Sequence, residues 1–106
     1  MEIKQRKVEE TPPAERAAKM ENPGFGRVFS DRMFLCRWNE KEGWHDAEVV
    51  PYGPLRLDPA ANVLHYAQEV FEGLKAYAWE DGSIALFRPE KNGERFNDSA
   101  RRLCMP

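Results

Sequence analysis

The chain has 106 residues, of which 42% are hydrophobic and 32% are charged, a composition that is typical of a globular domain and excludes a fibrous or strongly biased sequence. No apolar run approaches the roughly 20 residues of a membrane helix, and the charged N-terminus lacks the apolar segment of a signal peptide. The net charge of −2 argues against bulk nucleic-acid binding. We therefore expect one cytoplasmic domain that binds neither membranes nor nucleic acid.

The cysteines and histidines give no sign of a metal site or a disulfide framework. Cys36 and Cys104 lack CxxC spacing and histidine companions, and His45 and His65 are far apart in the sequence. We predict two reduced, half-buried thiols and no bound metal. His65, with no carboxylate near it in the helix that carries it, is interpreted as a hydrogen-bonded structural residue.

The first half of the chain divides into a polar stretch and a predicted hairpin. Residues 1–24 are charged and proline-containing, and we predict a loosely ordered N-terminal arm with one short helix at residues 14–20. Residues 33–38 form an apolar run that is rich in β-formers. The turn-like sequence NEKEG and a second strand-like run follow, which together predict two strands joined by a hairpin loop.

The second half predicts a helix, a hairpin and a second helix. Asp58 followed by Pro59 is a good helix start, and we expect that helix to extend to about Gln68. Asp81-Gly82 lies between two strand-like runs and is the strongest hairpin signal in the sequence. Further on, Pro89 or Asn92 begins an amphipathic helix whose apolar positions are Phe96, Ala100 and Leu103.

This element order predicts an α+β domain that is built around an antiparallel sheet with flanking helices. The chain contains no GxGxxG, GxxxxGK[ST] or GxSxG sequence, so dinucleotide-binding, P-loop and hydrolase classes lack their minimal motif. Gly73 falls within a predicted strand, where a glycine indicates a bulge or a close approach of another backbone or a ligand.

Two groups of residues are candidates for a binding site. The last helix places four polar residues along one face, where arginine can hold a phosphate, although a solvated helix face explains the same pattern: Asn92, Arg95, Ser99 and Arg102. The aromatic side chains of Phe25, Tyr66 and Phe71 can line a small-molecule pocket, and core packing is the alternative. Glu69 and Glu72 are interpreted as surface charges.

Three segments resemble a known family. They are LHYAQEVFEGLKAY at 64–77, FRPEKNGERFNDSARRLCMP at 87–106 and GFGRVFSDRMFLCRW at 24–38. In this order they are similar to the N-terminal small domain of the branched-chain amino-acid aminotransferases, which are fold-type IV enzymes. The resemblance covers about residues 23–106 and implies that residues 25–106, which follow the polar arm at 1–24, are a partial small domain without the larger C-terminal cofactor domain.

The resemblance also implies an activity and roles for several residues. The family uses pyridoxal 5′-phosphate in a homodimer to move the amino group of leucine, isoleucine or valine to 2-oxoglutarate. Arg95 matches the arginine that contacts the cofactor phosphate. Phe25, Tyr66 and Phe71 match the substrate side-chain pocket, with the tyrosine reaching the active site of the partner subunit.

The resemblance implies no catalytic residue in this chain, because the family's Schiff-base lysine lies in the larger domain and no lysine here, Lys75 included, stands in its context. We expect a fragment that is inactive alone and exposes sheet edges. A related class IV enzyme, either a D-amino-acid aminotransferase or an aminodeoxychorismate lyase, is one alternative. A non-catalytic binding module that keeps the small-domain fold is another.

Overall fold

A computed structural model describes all 106 residues, which form two compact units, Met1–Arg56 and Leu57–Pro106. The first unit contains β1 (Lys4–Gln5), α1 (Pro13–Glu21), β2 (Arg32–Asn39) and β3 (Gly43–Pro51). The second contains α2 (Asn62–Tyr66), β4 (Ala76–Ala78), β5 (Ile84–Leu86) and α3 (Pro89–Arg102). None of the three helices has the length and apolarity that crossing a membrane requires. The predicted α+β class is confirmed.

The predicted hairpin of the first unit is present as the antiparallel pair β2–β3, in which Trp38 lies opposite Trp44. Its loop is closed by Asn39, whose Oδ1 accepts hydrogen bonds from the backbone N–H groups of Lys41 and Glu42 at 3.0 and 2.9 Å. Gly43 follows with a φ of +67°, a conformation that favours glycine. The side chain of one asparagine therefore fixes the loop that the sequence predicted.

The expectation of a purely antiparallel sheet is wrong for the first unit, because β1 pairs with β3 in parallel and the sheet order is β1-β3-β2. Arg6 extends this pairing by donating to both carboxylate oxygens of Glu48 at 3.0 Å. The short helix predicted at residues 14–20 is confirmed as α1. Both β1 and α1 lie within the predicted arm, and the proposed boundary after residue 24 stays a prediction.

The buried hydrophobic core is small. Ala47 and Val50, both on β3, are the buried apolar side chains, with 2% and 8% of their surface exposed. Large apolar residues on both units are exposed, including Phe34 and Trp38 on β2. The described residues therefore leave much apolar surface in contact with solvent, as expected for sheets with uncovered faces.

The second unit contains the predicted Asp81-Gly82 hairpin as β4 and β5, which form a separate two-stranded antiparallel sheet. Gly82 has a φ of +82°. The Oδ1 atom of Asp81 accepts hydrogen bonds from the backbone N–H and the hydroxyl of Ser83 at 2.9 and 2.6 Å. The turn is therefore held by the side chain that precedes the glycine, and the prediction is confirmed with strands of three residues each.

The two helices of the second unit differ in how well the sequence predicted them. Helix α3 begins at Pro89, the earlier of the two predicted starts. Helix α2 begins at Asn62 instead of Pro59, because Asp58 Oδ1 accepts a hydrogen bond from the backbone N–H of Ala60 at 2.7 Å and forms a turn there. The helix ends at Tyr66, since Ala67 adopts a left-handed conformation. The predicted extent to Gln68 is therefore wrong at both ends.

Candidate functional site

The second unit brings together four residues that we call the Glu72 cluster: Glu72, Gly73, Asn92 and Arg95. Arg95, on α3, donates from Nε to Oε2 of Glu72 at 2.7 Å and from Nη2 to Oε1. Asn92 lies one helical turn earlier and donates from Nδ2 to Glu72 Oε1 at 2.9 Å and to the carbonyl of Gly73 at 2.8 Å. The segment before β4 is thereby tied to α3 through side chains.

Glu72 is the most strongly perturbed acid of the chain. Its side chain is 13% exposed, and hydrogen bonds from Arg95 first and Asn92 second lower the pKa of its carboxyl from 4.5 to about 2. The backbone N–H of Gly73 adds a third donor at 3.0 Å. The hydrogen bonds to Glu72, and next the negative charge of that carboxylate, raise the pKa of Arg95 above its ordinary value. Both groups are therefore charged at every physiological pH.

Arg95 keeps part of its guanidinium available. Its side chain is 68% exposed, and Nη1 makes no hydrogen bond within the protein. A guanidinium with Nε and Nη2 held by a carboxylate presents the remaining N–H groups in a fixed plane, which suits a phosphate or carboxylate oxygen. The cluster can thus bind one oxygen of an anion without giving up its internal pair.

The other members of the predicted helix face do not join this cluster. Ser99 donates from its hydroxyl to the backbone carbonyl of Arg95 at 3.0 Å, which is a bond within the helix. Arg102 is exposed and forms no ion pair. The pattern Asn92, Arg95, Ser99, Arg102 therefore contains two residues that converge and two that do not.

The three predicted aromatic pocket residues are all exposed. Phe25 is 95%, Tyr66 79% and Phe71 87% exposed, so none of them packs in the core of the 106 residues. Tyr66 and Phe71 belong to the second unit, and Phe25 belongs to the first. Phe71 directly precedes Glu72, which places one of these aromatic residues next to the cluster in the chain. Their role in substrate binding stays a prediction.

Several other predictions about single residues are decided by the structure. Gly73 does not interrupt a strand, because β4 begins at Ala76. Cys36 is half-buried as predicted, but Cys104 is exposed, and both are free thiols. The Nε2 atom of His65 lies 2.6 Å from the carbonyl of Pro59, so the structural interpretation of His65 is confirmed.

A cleft of about 490 Å³ lies beside α1 in the first unit. At its wall Asp31 accepts hydrogen bonds from the backbone N–H and the hydroxyl of Thr11 at 2.9 and 2.5 Å, and the hydroxyl is the main cause that lowers the pKa of Asp31. Arg16 Nη2 lies 3.6 Å from the same carboxylate. Thr11, Arg16 and Asp31 therefore bind one another, which indicates that they have a structural role. They connect Thr11, before α1, to Asp31, the residue before β2.

Glu72 is the functional candidate that sequence analysis missed. We interpreted it as a surface charge, whereas the structure gives it a partner 23 residues further along the chain. The spacing of Asn92 and Arg95 on one helix face identified the donors but not their acceptor. Asn92 also donates a hydrogen bond to the carbonyl of Gly73, the residue after Glu72, and only the three-dimensional structure reveals this contact.

Most of this chain is similar in sequence to one part of several branched-chain-amino-acid aminotransferases. A probable branched-chain-amino-acid aminotransferase of Streptomyces coelicolor is 66% identical over 93 residues, which are 88% of this chain and 26% of that protein. The branched-chain-amino-acid aminotransferase of Mycolicibacterium smegmatis is 57% identical over 93 residues, and branched-chain-amino-acid aminotransferase 2 of Bacillus subtilis is 58% identical over 82 residues. No protein-family model matches the chain. The chain spans about a quarter of the length of these curated relatives.

Proposed function

Because this chain is homologous to part of the branched-chain-amino-acid aminotransferases, we propose that the complete protein to which it belongs transfers amino groups between branched-chain amino acids and 2-oxoglutarate. The products are a branched 2-oxo acid and glutamate. The observation that carries the proposal is the sequence identity with relatives of this name. We also propose the fold-type IV architecture and a cytoplasmic homodimer.

The cofactor of this proposal is pyridoxal 5′-phosphate, and the donor set of the Glu72 cluster fits its phosphate. Arg95 offers Nη1 from an exposed side chain, and an arginine-phosphate bond is charge-assisted and geometrically specific. A single arginine is one phosphate ligand among several, so further ligands lie outside this cluster. When it is bound, the cofactor supplies the electron sink that makes amino transfer possible.

The remaining predicted roles belong to the same proposal. Phe25, Tyr66 and Phe71 provide flat apolar surface for an aliphatic side chain, and each buried methylene group stabilises binding by about 0.8 kcal/mol. Tyr66 serves the active site of the partner subunit. The covalent lysine belongs to the part of the protein beyond this segment, so the 106 residues alone are inactive.

The test is a substrate panel with the complete protein and added cofactor. Leucine, isoleucine, valine and D-alanine are each offered with 2-oxoglutarate, and glutamate formation is measured. Formation of glutamate from the three branched-chain substrates, with little from D-alanine, is the expected result. A preference for D-alanine would indicate a D-amino-acid aminotransferase and would contradict the proposal. Assay of the isolated chain under the same conditions is expected to give no glutamate.

A further inference from the structure

We propose that Glu72 and Asn92 are positioning residues, which fix the guanidinium of Arg95 in the plane from which it binds an anion such as the cofactor phosphate. This inference rests on the proposed function, because it assigns the anion to the phosphate of pyridoxal 5′-phosphate. It goes beyond that function by giving a role to two residues that touch neither cofactor nor substrate in the proposal.

The Arg95 side chain is already restrained in the absence of an anion. An exposed arginine samples many rotamers, and ordering such a side chain on binding costs conformational entropy. In the structure two nitrogens of the guanidinium already bind the two oxygens of one carboxylate, with Nε 2.7 Å from Oε2. Much of the ordering of Arg95 is therefore complete before an anion arrives, which is how preorganisation strengthens binding.

The position of the Glu72 carboxylate is set by the protein as well. Glu72 is itself fixed by Asn92, whose amide nitrogen uses both of its hydrogens, one for Oε1 and one for the carbonyl of Gly73. Asn92 and Arg95 lie on the same helix one turn apart. The carboxylate is thus fixed relative to both the helix and the backbone at residues 72–73. Because Arg95 donates two hydrogen bonds to this carboxylate, the guanidinium is fixed as well.

Positioning and simple electrostatics predict opposite effects on anion binding when the Glu72 carboxylate is removed. A carboxylate in contact with Arg95 reduces the positive charge that an anion experiences, so charge alone predicts that removing it tightens anion binding. Positioning predicts the opposite, since a glutamine places an amide N–H group against one of the arginine donors and loses one of the two parallel bonds. The direction of the change in Glu72→Gln therefore distinguishes the two effects.

The experiment uses the complete protein, freed of cofactor, and measures the dissociation constants of pyridoxal 5′-phosphate and of pyridoxal. The ratio of the two constants isolates the contribution of the phosphate, and a general loss of folding or of ring binding does not change it. The variants are Glu72→Gln and Asn92→Ala. The matched control is Asp98→Asn, which also removes one carboxylate charge that is paired with an arginine on α3. The partner of Asp98 is Arg101, whose Nη1 atom lies 2.7 Å from Asp98 Oδ1.

The phosphate contribution is the dissociation constant of pyridoxal divided by that of pyridoxal 5′-phosphate. We expect this ratio to fall about tenfold in Glu72→Gln, in line with the loss of a hydrogen bond between charged groups. We expect a smaller fall in the same direction in Asn92→Ala, which leaves the charge of the cluster unchanged, and no change in Asp98→Asn. An unchanged or increased contribution in Glu72→Gln overturns the inference. If Glu72→Gln does not fold, the result for Asn92→Ala decides in the same way.

Arg95→Gln separates a failure of positioning from a wrong assignment of Arg95 to the phosphate, and the substrate panel tests the proposed function independently of both. If Arg95→Gln leaves the phosphate contribution unchanged, the assignment of Arg95 to the cofactor phosphate is wrong, and the inference fails with it. If Arg95→Gln abolishes that contribution while Glu72→Gln and Asn92→Ala do not lower it, Arg95 binds the phosphate without being positioned by its neighbours.

Discussion

Glu72 and Arg95 are 23 residues apart in the sequence, yet the Nε atom of Arg95 lies 2.7 Å from the Oε2 atom of Glu72. This pair connects the segment before β4 to helix α3, and Asn92 reinforces the connection. In this pair the guanidinium of Arg95 is both fixed by the protein and open to an anion. We therefore expect it to determine both the acid stability of the second unit and the contribution of Arg95 to binding.

Glu72 makes the stability of the second unit depend on pH. Its pKa is 4.5 unperturbed and about 2 in the folded chain, so its hydrogen bonds stabilise the fold above pH 4.5 and are lost as the pH falls through about 2. The difference in free energy of unfolding between the native chain and Glu72→Gln should be largest above pH 4.5 and shrink towards pH 2. Unfolding measured at a series of pH values checks this, and a difference that is constant with pH would contradict it.

Two glycines of the second unit should respond to alanine in opposite directions. Gly82 has a φ of +82°, where a side chain is strained, so Gly82→Ala should lower the free energy of unfolding by about 1 kcal/mol. Gly93 lies inside α3 with open space at its Cβ position, so Gly93→Ala should raise it by about 0.5–1 kcal/mol. Equilibrium unfolding in denaturant measures both, and equal effects would be inconsistent with the geometry of the hairpin.

Thr11 should control the titration of Asp31. The hydroxyl of Thr11 is the largest cause of the lowered pKa of Asp31, and its backbone N–H is the second. Thr11→Val removes the hydroxyl and should raise the pKa of Asp31 towards its ordinary value of 3.8, whereas Thr11→Ser keeps the bond and should leave the pKa low. Carboxyl chemical shifts followed by NMR against pH give the result. If valine and serine have the same effect, the assigned cause is wrong.

Val50 should matter more to stability than other valines, because it is one of two buried apolar residues. Val50→Ala removes two methyl groups from the inner part of β3 and should lower the free energy of unfolding by about 1–2 kcal/mol. Val28 is 36% exposed and outside the strands, so Val28→Ala is a matched control that should cost clearly less. Thermal or denaturant unfolding of both variants checks the difference.

The features that the sequence predicted well are those with local causes. The two hairpins depend on a turn whose asparagine or aspartate binds the loop backbone directly, and α3 has a proline at its start and a clear apolar period. The family resemblance, which depends on residues in contiguous segments, is confirmed by the identity with the aminotransferases.

The features that the sequence did not predict have causes outside their own segments. The two residues of β1 form a strand only because β3 offers an edge for parallel pairing. Helix α2 loses its expected first turn because Asp58 forms a turn with the following backbone instead. The sequence does not distinguish Glu72 from a surface acid, because its partners become neighbours only when the segment before β4 lies against α3.

The proposed contact between Arg95, held by Glu72, and the cofactor phosphate can be observed directly. The most direct test is an experimental structure of the complete protein with pyridoxal 5′-phosphate bound. We expect a guanidinium nitrogen of Arg95 within about 3.2 Å of a phosphate oxygen, with the bonds from Nε and Nη2 to Glu72 retained. A phosphate bound out of hydrogen-bond reach of Arg95, or an Arg95 that has left Glu72 to reach it, would contradict the account.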